Sequence, residues 1–210
     1  QENDLLGGYD PYSSSKACTE ILTHSWRRSF FNETGAPQIA TARAGNVIGG
    51  GDWAENRLVP DILKAFTAGQ IATLRHPEAV RPWQHVLDPL AGYIQLAEHL
   101  YADGQIAGPW NFGPDMGSCV TAGAIADQLV TLWPTPASWR PETSRMPHEA
   151  GLLRLDASKA QQKLQWWPKW PLMEGLRHTV DWQLAWQRGE DMQDFCRKQI
   201  RFYSQLRTGA

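Results

Sequence analysis

The sequence has little that would attract a nucleic acid or a membrane. Its 210 residues include 20 Lys and Arg and 22 Asp and Glu, for a formal net charge of -2. A near-neutral chain with mixed charges gives no electrostatic case for a polyanion or an anionic membrane. No apolar run reaches the ~18 residues of a membrane-spanning helix, and the opening QENDLLGG is not a signal peptide. We therefore expect neither nucleic acid nor membrane among the partners.

Cysteine is also scarce. Cys18, Cys119 and Cys196 are odd in number and far apart, which indicates reduced thiols in a cytoplasmic protein rather than a disulfide framework. None of the 6 histidines is paired at the spacing of metal ligands, so no metal site is predicted.

The sequence does contain an alternation of helical and strand patterns. Apolar residues recur at helical spacing in segments bounded by Pro, Gly or Asp, and short β-compatible runs lie between these segments. We interpret HPEAVRPWQHV as a loop that rejoins regular structure near Val86. The predicted class is α/β. Helices are expected at 13–34, 58–68, 88–101, 121–133, 156–164 and 171–188, and strands at 39–43, 71–75 and 110–113.

The stretch GGYDPYSSSKACTE places Tyr12 and Lys16 four residues apart. Asp10 and Pro11 are typical of a helix N-cap and a first helical position, so both side chains face one side of a helix. A neighbouring ammonium group favours the phenolate, which can take a proton from a sugar hydroxyl while hydride leaves its carbon. The same spacing also occurs in helices where both side chains are simply exposed and solvated.

A second candidate site is the glycine-rich stretch IATARAGNVIGGGDW. The strand predicted at 39–43 leads into a loop with Gly45 and Gly49 to Gly51. Enzymes of the α/β class bind ligands beyond the carboxyl ends of their strands. The loop is therefore a predicted ligand site.

These motifs together resemble a known family. GGYDPYSSSKACTE is similar to the active-site helix of the extended short-chain dehydrogenase/reductases, especially the nucleotide-sugar branch with P-Y-x-x-S-K. Further motifs follow in the family's order and resemble the CDP-glucose 4,6-dehydratases: RAGNVIGGGDW, NRLVPDIL, RPWQHVLDPLAGY, WNFGP, PHEA and LDASKA. RPWQHV distinguishes this branch from the dTDP-glucose enzymes. The resemblance runs from about residue 7 to near residue 191.

The resemblance implies a fold, a cofactor and a reaction. The fold is the C-terminal part of a Rossmann-type doubly wound domain plus a smaller α/β substrate domain. NAD oxidises C4 of CDP-glucose, water is lost across C5 and C6, and hydride returns to C6 to give CDP-4-dehydro-6-deoxyglucose. Tyr12 is the implied base, Lys16 positions the cofactor ribose, and Ala44 and Gly45 complete the cofactor contacts. The implied assembly is a homo-oligomer, either a dimer or a tetramer.

The resemblance also implies a set of substrate-binding residues, some with an alternative role. Trp83 either stacks on the ligand or packs in the core, and Asn111 either contacts phosphate or ties a turn. The arginines are either diphosphate ligands, which suits a guanidinium fork, or solvated surface groups. The implied substrate residues are Asn46, Arg57, Arg81, Trp83, His85, Asn111, His148 and Glu149.

One family motif is missing from these 210 residues, namely the dinucleotide fingerprint G-x-x-G-x-x-G after a first strand. GGGDW does not replace it, because it follows Tyr12 and leads into no phosphate-binding helix. We therefore expect the chain to be the C-terminal part of a longer enzyme. Its predicted organisation is 1–50 with 85–115 in the cofactor domain, 51–84 and 116–190 in the substrate domain, and 191–210 as a C-terminal tail.

Two alternatives to a 4,6-dehydratase remain open from the sequence. One is another nucleotide-sugar member of the same family, either an epimerase or a decarboxylase. The other is a non-catalytic module that binds a nucleotide sugar. The segment upstream of Gln1 would discriminate, because elimination needs an acid and a base there and epimerisation does not.

Overall fold

The α/β class predicted from the sequence is confirmed in a computed structural model, which describes residues 1–8, 10–33, 35–102, 106–143 and 151–206. Its elements in chain order are α1 (Pro11–Phe30), β1 (Ala40–Ala44), β2 (Asn46–Ile48), α2 (Leu58–Thr67), β3 (Ala72–Leu74), β4 (Val80–His85), α3 (Leu87–Ala102), β5 (Gly108–Phe112), β6 (Cys119–Thr121), α4 (Ala122–Leu132), β7 (Trp139–Pro141), α5 (Ser158–Leu164), α6 (Leu172–Gln187) and α7 (Met192–Gln205).

The loop interpretation of HPEAVRPWQHV was wrong for its second half, because Val80–His85 form strand β4. Residues 81–85 are all buried, so the strand lacks the alternation of polar and apolar residues that marks a half-buried strand. Pro82 adds to the difficulty, since proline inside a run argues against a strand. Because both faces of the strand are buried, its sequence pattern does not reveal it.

Contacts divide the chain into two compact units, and each is described here by itself. Unit 1 contains Gln1–Ala44, Leu90–Phe112 and Leu155–Trp166. In it β1 and β5 pair in parallel, with Ala40 opposite Gly108. Its core is formed by Leu96, Trp110, Phe112, Ala157, Ala160, Leu164 and Trp166.

Unit 2 contains Gly45–Pro89, Gly113–Arg154 and Trp167–Ala210. Strand β4 is central in a three-stranded sheet, parallel to β2 and antiparallel to β6, while β3 and β7 form a separate parallel pair. Helices α2, α4 and α6 supply most of the core around this sheet. The most deeply buried side chains of this core are Ile62, Ala72, Leu74, Ile125, Ala126, Leu129, Leu176 and Val180.

The observed units differ from the predicted domain boundaries, since residues 45–50, 85–89 and 113–115 lie in unit 2 and not with the predicted cofactor segments. Leu155–Trp166 lies in unit 1, whereas the sequence assigned it to the substrate domain. The predicted C-terminal tail contains helix α7, which contacts α6 within unit 2. The assignment of cofactor binding and substrate binding to the two units stays a prediction.

Within the described ranges, no helix has the length and the apolar character needed to span a bilayer. The three cysteines have free thiols.

Candidate functional site

The predicted Tyr–Lys pair lies in the first turns of α1, in unit 1. The helix begins at Pro11 because the Asp10 side chain caps it, accepting from the Ser13 amide at 2.9 Å and from the Ser13 hydroxyl at 2.7 Å. The hydrogen bond from the Ser13 hydroxyl is the main cause that lowers the pKa of Asp10. One turn into the helix, Lys16 Nζ lies 5.3 Å from the centroid of the Tyr12 ring. The two groups therefore face the same side, as the spacing predicted.

The Tyr12 side chain is accessible to a ligand, since the residue is 66% exposed. Lys16 is exposed as well. The local sequence thus fixes where the pair lies on the helix and leaves both polar ends free to contact a bound molecule.

The two residues expected to complete the cofactor contacts lie at the carboxyl end of β1. Ala44 is the last residue of β1 and pairs with Phe112 in unit 1. Gly45 opens unit 2, where a Cβ on this residue would lie 2.6 Å from the Pro82 carbonyl oxygen. That approach is closer than a side chain tolerates, so the position requires glycine. Asn46 then starts β2, directly opposite Trp83 of β4.

Strand β4 carries three of the predicted substrate residues, and all three are buried. Arg81 Nη1 donates to the carbonyl oxygen of Val80 at 2.8 Å. Trp83 is 5% exposed, belongs to the core of unit 2 and donates from Nε1 to the Val120 carbonyl at 3.2 Å. For Trp83 the structure therefore favours packing, the alternative already evident from the sequence.

His85 ends β4 as a neutral, buried imidazole. Its Nδ1 accepts from the Leu87 amide at 3.3 Å, so in the neutral ring the proton is on Nε2. Nε2 is buried and has no hydrogen-bond partner within the described part of the chain. Burial, with a smaller contribution from His178, lowers the pKa of His85 to about 3. The ring is thus held as a hydrogen-bond donor at neutral pH.

Acidification should destabilise unit 2 through His85. In the unfolded chain this imidazole takes a proton near its ordinary pKa of 6.5, whereas the folded pKa is about 3. From pH 6.5 downward the unfolded state binds a proton that the folded state does not, so the free energy of unfolding falls by up to about 1.4 kcal/mol per pH unit. Burial also lowers the pKa of His178, which adds to the loss, and raises the pKa of Asp88, which opposes it.

Urea unfolding of the wild type and of His85→Gln between pH 7 and pH 4 isolates this contribution, because the other two groups are present in both proteins. We expect a shallower pH dependence in the variant. Equal slopes would show that His85 takes up its proton in the folded state as easily as in the unfolded one.

The predicted Arg57 lies at the N-cap position of α2 and is exposed. Arg75, which none of the sequence motifs included, lies beside this segment. Arg75 Nη2 donates to the Asn56 carbonyl at 3.1 Å. Burial raises the pKa of Asp61, and the charge of Arg75 opposes that shift. Its position at the carboxyl end of a predicted strand was the signal that would have found it.

Asn111 is 1% exposed in β5 of unit 1. Its Nδ2 donates to the Asp156 carbonyl at 3.1 Å, and its backbone amide donates to Glu2 Oε1 at 3.0 Å. The side-chain nitrogen therefore ties two segments of unit 1 together, which is the alternative role considered for it. His148 and Glu149 lie outside the described residues.

The glycine-rich loop is shaped by an aromatic side chain from α6. A Cβ on Gly50 would lie 2.0 Å from Cγ of Trp182, and Gly51 has a φ of +79°. Trp53, 56% exposed, follows the loop and lies with its ring centroid 4.6 Å from that of Trp186. The loop therefore runs directly over the indole of Trp182, with no room for a side chain at its middle glycine.

The structure combines a Rossmann-type α/β fold with a tyrosine and a lysine one turn apart on an exposed stretch of α1. Residues 2–113 match the model of the NAD dependent epimerase/dehydratase family. The chain belongs to that family.

Curated relatives agree with the family. CDP-glucose 4,6-dehydratase of Salmonella typhimurium strain LT2 is 48% identical over 213 residues, which cover 99% of this chain and 59% of the relative. dTDP-glucose 4,6-dehydratase of the same strain is 27% identical over 180 residues, covering 83% of this chain and 47% of the relative. The chain thus spans about half to three fifths of these relatives.

Solved structures share the fold. UDP-glucuronic acid 4-epimerase from Bacillus cereus, in complex with UDP-glucuronic acid and NAD, aligns with a TM-score of 0.76 and 21% identity over 89% of this chain and 56% of that one. DesIV, the dTDP-glucose 4,6-dehydratase from Streptomyces venezuelae with NAD and TYD bound, aligns with a TM-score of 0.73 and 21% identity over 90% and 56%.

Proposed function

We propose that the chain is the part of a CDP-glucose 4,6-dehydratase that holds the catalytic tyrosine and binds the nucleotide sugar. The observation that carries the proposal is the 48% identity to such an enzyme over 99% of the chain. The dTDP-glucose dehydratase of the same strain reaches 27%, so the likeness is greater to the CDP-glucose enzyme. The motif RPWQHV, which forms most of β4, supports the same choice of nucleotide.

The start of α1 fits the ribose of a nicotinamide cofactor. Tyr12 and Lys16 are exposed, and their hydroxyl and ammonium groups suit the hydroxyls of a ribose. NAD, when bound, supplies the acceptor for hydride from C4 of the sugar. Tyr12 takes the proton of the C4 hydroxyl as general base, and Lys16 positions the ribose of the cofactor.

Strand β4 and its neighbour β2 form the substrate part of the proposal. Arg81 supplies a guanidinium for the diphosphate, and Asn46 supplies an amide at the start of β2. His85 supplies a neutral donor, since its pKa of about 3 keeps the ring uncharged at neutral pH. The exposed Arg57 adds a second cation for the phosphates. His148 and Glu149 complete the proposed set.

A homo-oligomer of the whole enzyme, either a dimer or a tetramer, belongs to the same proposal. Helix α1 supports it because it presents four large apolar side chains that are each at least half exposed: Ile21, Leu22, Trp26 and Phe30. Exposed apolar surface of this kind is typical of a protein interface.

The proposal is tested by product formation from CDP-glucose and NAD, read as the absorbance of the 4-keto sugar in alkali. The 210-residue chain by itself should form no product, because the sequence contains no phosphate-binding turn to receive the pyrophosphate at a helix N-terminus. Supplied with the upstream part of the Salmonella typhimurium enzyme, it should form CDP-4-dehydro-6-deoxyglucose. The upstream part without this chain is the control.

Two outcomes would contradict the proposal. Product from the 210-residue chain alone would show that it needs no separate nucleotide-binding half. A C4 epimer in place of the 4-keto sugar, formed by the reconstituted protein, would move the chain to the epimerases.

A further inference from the structure

A buried carboxylate lies just after strand β4, in unit 2. Asp88, in the first turn of α3, is 0% exposed. Its Oδ1 accepts from the backbone amide of Lys169 at 2.7 Å and from the hydroxyl of Tyr203 at 2.7 Å. The amide of Trp170 is a further donor to this carboxylate. Such charge-assisted hydrogen bonds are strong in a buried setting, so Asp88 joins β4 to the segment before α6 and to α7.

The segment held by Asp88 carries the ring that packs on His85. Trp170 meets the His85 imidazole edge-on, with centroids 4.5 Å apart and planes at 64°. On another side it stacks on His178 at 4.0 Å and 13°, and it contacts the Tyr203 ring at 5.2 Å and 86°. Aromatic groups packed in this way hold one another's orientation. The orientation of the His85 ring therefore depends on where Trp170 is fixed.

The Cβ atom of His85 is also closely packed. A Cβ on Gly175 of α6 would lie 3.1 Å from Cβ of His85. The unpartnered Nε2 of His85 lies beside the glycine-rich loop, 3.9 Å from where a Cβ on Gly49 would stand. A nitrogen placed like this can donate to a ligand oxygen at the loop if the ring keeps its tilt. A small rotation of the ring directs the N–H away from the loop.

We propose that Tyr203, in the C-terminal helix α7, is a positioning residue for the substrate site. Its hydroxyl holds the Asp88 carboxylate, which fixes the 169–170 backbone, and Trp170 then sets the orientation of the His85 imidazole beside Gly49. The ligand concerned is the nucleotide sugar, so the inference rests on the proposed function. Tyr203 itself is buried, at 5% exposure, and acts through Asp88 and Trp170.

The test compares Tyr203→Phe with Gln199→Ala in the 210-residue chain. Tyr203→Phe keeps the ring against Trp170 and removes the hydroxyl. Gln199→Ala also removes a hydrogen bond that docks α7, from Nε2 to the His178 carbonyl at 2.9 Å, without touching Asp88. The histidine ring signals in 1H–15N spectra, with His85 assigned from His85→Gln, report the imidazole directly. Titration calorimetry with CDP-glucose reports binding.

In Tyr203→Phe we expect the His85 signals to shift and CDP-glucose to bind about fivefold to tenfold more weakly, which lies within the range for coupling through packed side chains. Gln199→Ala should leave both readouts near the wild type. Unchanged His85 signals in Tyr203→Phe would overturn the proposal. So would equal changes in the two variants, because they would show that α7 docking alone matters.

The outcome for Tyr203 is separable from that of the proposed function. A wild type that does not bind CDP-glucose contradicts the proposed substrate, and the His85 signals still decide whether Tyr203 orients the imidazole. If Tyr203→Phe does not fold, Asp88→Asn keeps the side-chain shape and weakens the same hydrogen bonds. Unshifted His85 signals in Asp88→Asn would then overturn the proposal.

Discussion

Replacing Tyr12 with phenylalanine should reduce turnover of CDP-glucose by about 10²–10⁴-fold, the contribution typical of a positioned acid or base. Binding of the nucleotide sugar should stay within a few-fold of the wild type, because the hydroxyl acts on a proton in the transition state and adds little to ground-state affinity. The ring itself remains, so the capped start of α1 and its Asp10–Ser13 hydrogen bonds are left intact.

The measurement uses the chain reconstituted with the upstream part of the enzyme and follows the 4-keto product. Tyr101→Phe is the matched control, since it removes the same hydroxyl from a tyrosine that is 97% exposed and should leave turnover unchanged. If Tyr12→Phe retains most of the activity, Tyr12 is not the base. If it loses affinity and turnover equally, its role is binding.

Gly50→Ala should lower the free energy of unfolding of the chain by about 1–3 kcal/mol, the usual cost of forcing an extra methyl group into packed surroundings. The new Cβ would lie 2.0 Å from Cγ of Trp182. Rotation about χ2 leaves Cγ in place, so only a change of χ1 or a shift of the backbone removes the clash. A change of χ1 would break the hydrogen bond from Trp182 Nε1 to Cys196 Sγ at 3.2 Å. The loop, the helix or the Trp182 rotamer must therefore change.

Denaturant unfolding measures this cost, with two comparisons. Gly151→Ala is the control, because nothing lies within 4 Å of its added Cβ, and it should change stability by less than about 1 kcal/mol. Trp182→Ala removes Cγ together with the ring, so the Gly50→Ala change should cost clearly less in that background. An equal cost in both backgrounds would show that the clash with Trp182 is not its cause.

Local chemistry in the sequence was sufficient to determine α1 and the placement of Tyr12 and Lys16 on it. Asp10 and Pro11 specify a helix start wherever the segment is placed, since capping is a bond between near neighbours. The four-residue spacing then sets Tyr12 and Lys16 on one side, as the 5.3 Å contact shows. The α/β alternation was read in the same way, from periodicities that each element carries by itself.

The tertiary structure alone decided the environment of strand β4. Tyr203 reaches Asp88 across 115 positions of sequence, and no local pattern relates two residues so far apart. The strand β4 was hidden because both its faces are buried, which removes the alternation that reveals a strand. The pKa of His85, at about 3, follows from desolvation by groups that folding brings around the ring. Hydrogen bonds between near neighbours can be predicted from the sequence. Burial, and contacts between residues far apart in the sequence, arise only once the chain has folded.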